Sequence, residues 1–171
     1  IDNPDEKRVI CMAVTANEEL DNSGEAGKPT SWSAALDEIT SGAVEDENPH
    51  RLFLVSAGNV HPSVYTEGVP YPERNRLELV QNPGQSWNAI TVGGYTDKVD
   101  IILEEYKGFS PLAERGALSP FSSTSVGWKK SWPIKPDVLF DGGNVATNGS
   151  DYLACDDLSL LTTFFEPSKR S

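Results

Sequence analysis

The side chain best placed for chemistry in this sequence is a carboxamide. Asn59 closes the octet Leu52-Phe53-Leu54-Val55-Ser56-Ala57-Gly58-Asn59. Its first four residues read as a buried strand. Two small residues and a glycine then let a second backbone come close. The asparagine follows just past the strand's carboxyl end, where parallel α/β sheets bind their ligands. A neutral N–H donor at such a place can hydrogen-bond an oxyanion as its charge develops. The same octet also fits a strand that ends in an ordinary Gly-Asn turn. Other reactive side chains have poorer surroundings. His50 follows Asn48-Pro49 and His61 precedes Pro62; with no nucleophile motif beside them, both read as exposed loop residues. Cys11 and Cys155 have no neighbouring base to lower a thiol pKa, so both are expected to be reduced and structural. No G-x-S-x-G elbow is present. Thr15-Ala16-Asn17-Glu18-Glu19 after the first strand is no phosphate loop, which argues against a nucleotide-binding domain. Asp97, Asp100, Glu104 and Glu105 do not follow a calcium-loop spacing. Asn148-Gly149-Ser150 fits the glycosylation sequon, a tripeptide common by chance.

These residues need elements to hold them. Val9–Val14 is a continuous apolar run, the pattern of a strand buried on both faces of a parallel sheet. Thr30 or Ser31 can cap a helix, and Trp32, Ala35, Leu36 and Ile39 fall on one helical face. Gly42 is a stop signal. With Leu52–Ala57 as the second strand, residues 9–57 make a right-handed β-α-β unit. Residues 60–86 form a long polar loop of the kind that tends to be functional or mobile. Ala89–Gly94 is a third strand, Asp137–Phe140 a fourth, and Ser159–Phe165 a weaker candidate. Residues 95–136 are loop-rich. The fold class is α/β, a parallel sheet with one clear crossover helix.

Composition sets further bounds. A length of 171 residues suits one domain or a large piece of one. The 37% hydrophobic content is low for a buried parallel sheet. Together with a lone methionine at position 12, it leads us to expect a fragment with part of its core elsewhere. A formal charge of −12, with no Lys/Arg stripe, speaks against a nucleic-acid partner. The run Glu45-Asp46-Glu47 reads as a solvated loop. No apolar run of transmembrane length occurs, so no membrane partner is expected.

Four segments, in order, resemble the subtilisin-like serine peptidases (subtilases). Ile10-Cys11-Met12-Ala13-Val14-Thr15 stands where that family has roughly I-N-M-S-L-G. Val55-Ser56-Ala57-Gly58-Asn59 is similar to its A-A-G-N. Pro83 with Asn88–Gly94 is similar to P-x(n)-V-I-T-V-G-A. Phe121-Ser122-Ser123 with Ile134–Val138 is similar to F-S-S-x-G-P followed by K-P-D-V. The resemblance implies a subtilisin-like fold, with residues 1–171 as a single fragment of the catalytic domain. It implies that Ala13, Val14 and Thr15 line one side of a cleft for a peptide or protein substrate, bound by strand addition. Ser56, Ala57 and Gly58 would form the other wall, although close strand packing would also favour such small residues. Asn59 would be the oxyanion-hole donor. No cofactor is required. The family's frequent use of calcium leaves room for a structural calcium ion, with no ligands assignable.

The family's D-T/S-G, H-G-T-H and G-T-S-x-A contexts for Asp, His and Ser do not occur. They would lie before the first strand and after Ser171, so the expected partner is the rest of the chain's own catalytic domain. Cys11, Ala13, Thr15 and Phe140–Gly143 depart from the family pattern, so substrate preference is not inherited. Alone, the chain is expected to be inactive and to self-associate through unpaired sheet edges. The alternative is a non-catalytic α/β module that uses the same cleft to bind peptides or a protein.

Overall fold

A computed structural model describes residues 7–16, 26–43 and 51–161. In chain order its elements are β1 (Arg8–Met12), α1 (Ser31–Ser41), β2 (Arg51–Ser56), β3 (Ile90–Tyr95), β4 (Ser110–Pro111), β5 (Val138–Asp141), β6 (Val145–Thr147) and β7 (Tyr152–Ala154). β1, β2, β3 and β5 form a parallel sheet in that spatial order, and β4, β6 and β7 a small antiparallel one. The expected α/β class is the observed one, and each expected strand through Phe140 lies within two residues of its predicted bounds.

The start of α1 follows from local chemistry. Thr30 Oγ1 accepts from Ser33 N, and Ser33 Oγ accepts from Thr30 N, a reciprocal capping box. Gly42 ends the helix at φ +75°, in the left-handed region that favours glycine. Leu36, Trp32 and Ile39 pack against Ile10, Met12, Phe53, Val55 and Ala89. Ala35 belongs to the exposed side instead; helix rotation brings Ser33, the capping partner, inward in its place.

The opposite sheet face differs from expectation. Parallel partners share a face, so the register aligns Val9 with Leu52, Cys11 with Leu54, Val92 with Val138 and Gly94 with Phe140. Val9 and Phe140 are each 64% exposed, and Cys11, Leu52 and Val138 are also exposed. The predicted burial on both faces therefore fails among the described residues. Topology explains why: strands in sequential order, joined by right-handed crossovers, place their connections mainly on one side. Among the described residues the connections leave most of the face opposite α1 open, and Ser119 of the β3–β5 connection reaches it only beside Gly94. Cys11 is accordingly not the buried residue expected, whereas Cys155 is buried; both thiols are free.

The antiparallel sheet was not foreseen, because strands of two or three residues carry no readable alternation. Around it Ala146, Cys155 and Leu158 form their own cluster. The predicted strand Ser159–Phe165 is not formed over residues 159–161, because Ser159 ends a turn whose hydroxyl and N–H bond back to Cys155 O and Asp156 O. Its remainder lies outside the described residues, as do Glu45-Asp46-Glu47, His50 and Ser171. Among the described residues no helix is long and apolar enough to cross a membrane.

Candidate functional site

β1 and β2 run in register as far as Met12 and Val55, and there they part. Beyond Ser56 the second chain stays with β3, since Ala57 N donates to Val92 O at 2.8 Å. Residues 13–15 follow neither: among the described residues their backbone makes no backbone hydrogen bond. Contact resumes at Ala16, whose N donates to Asn82 O at 2.9 Å while Asn82 N donates back to Ala16 O at 3.2 Å. On the other flank Gln81 N donates to Ala57 O at 2.8 Å. Residues 81–82 thus span the split between the two parted strands.

The Gln81 side chain lies in that split. Thr15 Oγ1 donates to Gln81 Oε1 at 2.7 Å. On the other side the glutamine stem lies against Gly58, where a Cβ would fall 2.8 Å from Gln81 Cγ and Cδ. Gly58 has φ +128°, a conformation that side-chain-bearing residues rarely adopt. Gln81 Nε2 makes no hydrogen bond among the described residues.

The predicted wall residues therefore divide. Ala13 and Val14 are exposed, Thr15 and Ser56 half-buried, and Thr15 and Gly58 meet through Gln81. Ser56 Oγ accepts from Gly58 N at 3.3 Å. Ala57 is buried with Val80 and Trp128. Its N is bound to Val92, and its O accepts from both Gln81 N and Ser123 Oγ. Ala57 backs the wall and presents nothing to the split.

Asn59 is exposed, and its carboxamide makes no hydrogen bond among the described residues. The backbone on either side is anchored: Ser123 Oγ donates to Ala57 O at 2.7 Å, and Val60 N donates to Phe121 O at 2.9 Å. Segment 119–123 is itself clamped by the fully buried Asn75, whose Nδ2 donates to Ser122 O at 2.9 Å and to Pro120 O at 3.2 Å. The Tyr65 hydroxyl donates to Pro120 O at 2.6 Å and lies 2.8 Å from Asn75 Oδ1. Burial pushes the Tyr65 phenol well above its ordinary value. An uncommitted amide on a doubly anchored turn can donate to a developing anion with little reorganisation.

Sequence reasoning missed Gln81, Asn75 and Ser123. Pro83-Gly84 marked a turn, but nothing local says what the preceding glutamine touches. Asn75 sits in Glu73-Arg74-Asn75-Arg76, which reads as solvated loop. His61 is exposed and caps a 3-10 turn, its Nδ1 accepting from Ser63 N at 3.3 Å. Asp97, Asp100, Asp141 and Asp157 share a polar pocket with Lys98 and Arg115. There Asp100 pairs with Arg115 at 3.4 Å, and Asp157 accepts from the N–H groups of Ile102 and Leu103. Among the described residues, no three His, Cys, Asp or Glu side chains gather to hold a metal.

Comparison with known proteins adds one match. Residues 1–171, the whole chain, match the model of the peptidase S8 family, described as the subtilase family. No curated protein matches the chain.

Proposed function

This chain belongs to the subtilase family, and on that premise we propose that it is the substrate-binding part of a serine endopeptidase's catalytic domain. The reading rests on one observation: β1 and β2 part beyond Met12 and Val55, and an unbonded carboxamide, Asn59, stands on the anchored turn beyond β2. A substrate strand would pair with the open backbone of residues 13–15, as in strand-addition recognition. Its scissile carbonyl would be attacked by a serine hydroxyl supplied from outside these residues. Asn59 Nδ2 would then donate to the oxygen of the tetrahedral intermediate, ahead of collapse to a serine ester. The chain alone would bind peptides and hydrolyse none.

The uncovered sheet face supports the accompanying partner assignment. Val9, Leu52, Val138 and Phe140 leave an apolar face that the described connections do not cover. Parallel sheets are ordinarily covered on both faces. The rest of the same catalytic domain, bringing the Asp, His and Ser segments, is the layer that fits there. The lack of those segments in the sequence equally motivates the second reading, a non-catalytic peptide-binding module.

The test has two parts. Adding short extended peptides to the isotope-labelled chain should shift the resonances of residues 13–15 and Asn59. Unchanged resonances at those positions would refute the cleft. In the parent protein, Asn59→Ala should lower turnover with little change in KM. The size known for removing this donor in subtilisin itself is roughly 10²–10³-fold. A parent reading frame with no triad segments would favour the binding module.

A further inference from the structure

We propose that Gln81 selects the substrate side chain that enters the split, favouring an uncharged carboxamide, that of glutamine or asparagine. The inference rests on the reading of the split as a peptide cleft. Gly58 contributes no side chain. The Thr15 hydroxyl is committed as donor to Gln81 Oε1 at 2.7 Å, and Ser56 Oγ already accepts from Gly58 N. In this arrangement the amide oxygen faces Thr15, with the hydroxyl donating to it, and the amide nitrogen faces away. Nε2 is then a donor left over, and the Ser56 hydroxyl hydrogen, which no contact among the described residues uses, is a second.

An entering side chain must offer Nε2 an acceptor or leave that donor unpaired as water is displaced, the more costly outcome. Leucine offers none. A glutamate oxygen would accept, but Thr15, Ser56, Gly58 and Gln81 supply no cation, so its charge would be desolvated without compensation. Lysine would bring a charge that meets no carboxylate among these groups. A carboxamide oxygen accepts from Nε2 and carries no charge. Sites built around one hydrogen bond discriminate against analogues lacking it more sharply than apolar pockets discriminate by size.

Four peptides that differ at a single residue, glutamine, leucine, glutamate or lysine, test this on the intact chain. The readouts are Kd and the Gln81 side-chain amide resonances. The glutamine peptide should bind tightest, by about fivefold over leucine for one neutral hydrogen bond. Gln81→Leu should reverse that order. Gln81→Glu, which keeps the shape, should move the preference to lysine. Equal affinities for all four peptides, or a glutamine preference that survives both substitutions in folded protein, would overturn the assignment. Binding that shifts residues 13–15 and Asn59 but ignores the varied side chain would sink Gln81 selection alone. Failure of every peptide to bind the folded chain would refute the cleft and this inference with it.

Discussion

Gly58→Ala tests the geometry of the split most directly. The substitution meets two obstacles. The backbone is held at φ +128°, and keeping a non-glycine residue in such a region costs about 1–3 kcal/mol. The new Cβ would also fall 2.8 Å from Gln81 Cγ and Cδ, inside contact distance. The glutamine stem can swing aside, but only by releasing Thr15, a neutral hydrogen bond worth about 1 kcal/mol. Together these predict a loss of about 2–4 kcal/mol. Gln81→Ala alone removes the Thr15 bond and a short apolar stem, a loss of about 1–2 kcal/mol. In the double variant the backbone strain remains, but the Thr15 bond is lost only once. The double variant should therefore be about 1 kcal/mol more stable than the sum of the singles predicts. Urea unfolding followed by tryptophan fluorescence measures all three, since Trp128 is buried beside Ala57 and Val80. Additivity within about 0.5 kcal/mol would refute contact between Gly58 and Gln81. A Gly58→Ala loss below about 0.5 kcal/mol would refute the positive φ itself.

Tyr65→Phe should cost about 1–3 kcal/mol, because it removes the buried hydroxyl that donates to Pro120 O at 2.6 Å. The folded-state phenol is raised above its unfolded value of 10, so its contribution is fully present below that pH and is lost as pH rises above it. Urea midpoints measured between neutral pH and about pH 11 should fall more steeply for the wild type than for Tyr65→Phe; parallel curves would contradict the assignment. Phe140→Glu, on an exposed position of edge strand β5, should lower the mass seen by light scattering at high concentration and leave the stability within about 0.5 kcal/mol of wild type. A monomeric wild type across the same series would remove the reason for the substitution. Asp137→Asn should destabilise the chain by about 1–3 kcal/mol, between the values for an exposed and a buried pair. It leaves the Lys135 ammonium, whose side chain is 2% exposed and lies 2.6 Å from Asp137 Oδ2, without its counter-charge. A loss under about 1 kcal/mol by urea unfolding would mean that solvent, which reaches the 37% exposed Asp137 side chain, already screens the pair.

What the sequence determined by itself was local. The helix start at Thr30, its end at Gly42 and the four strands of the parallel sheet are all set by residues within a few positions of one another. Caps, β-branched runs and apolar spacing act over that range, so they can be read without knowing the fold. The order of four motifs was legible for the same reason, and that order alone pointed to the family. Tertiary structure decided the rest. Gln81 meets Thr15 across 66 residues, and Ser123 meets Ala57 across another 66; no local pattern records either pairing. Asn75 looked solvated because its neighbours are charged, yet it is buried because three-dimensional folding wraps segment 119–122 around it. The low hydrophobic content pointed to a missing part of the core, but not to which sheet face lacks its cover, because apolar runs report only that a strand can be buried. Which face is covered depends on the side to which right-handed crossovers return, a property of the chain's path through space.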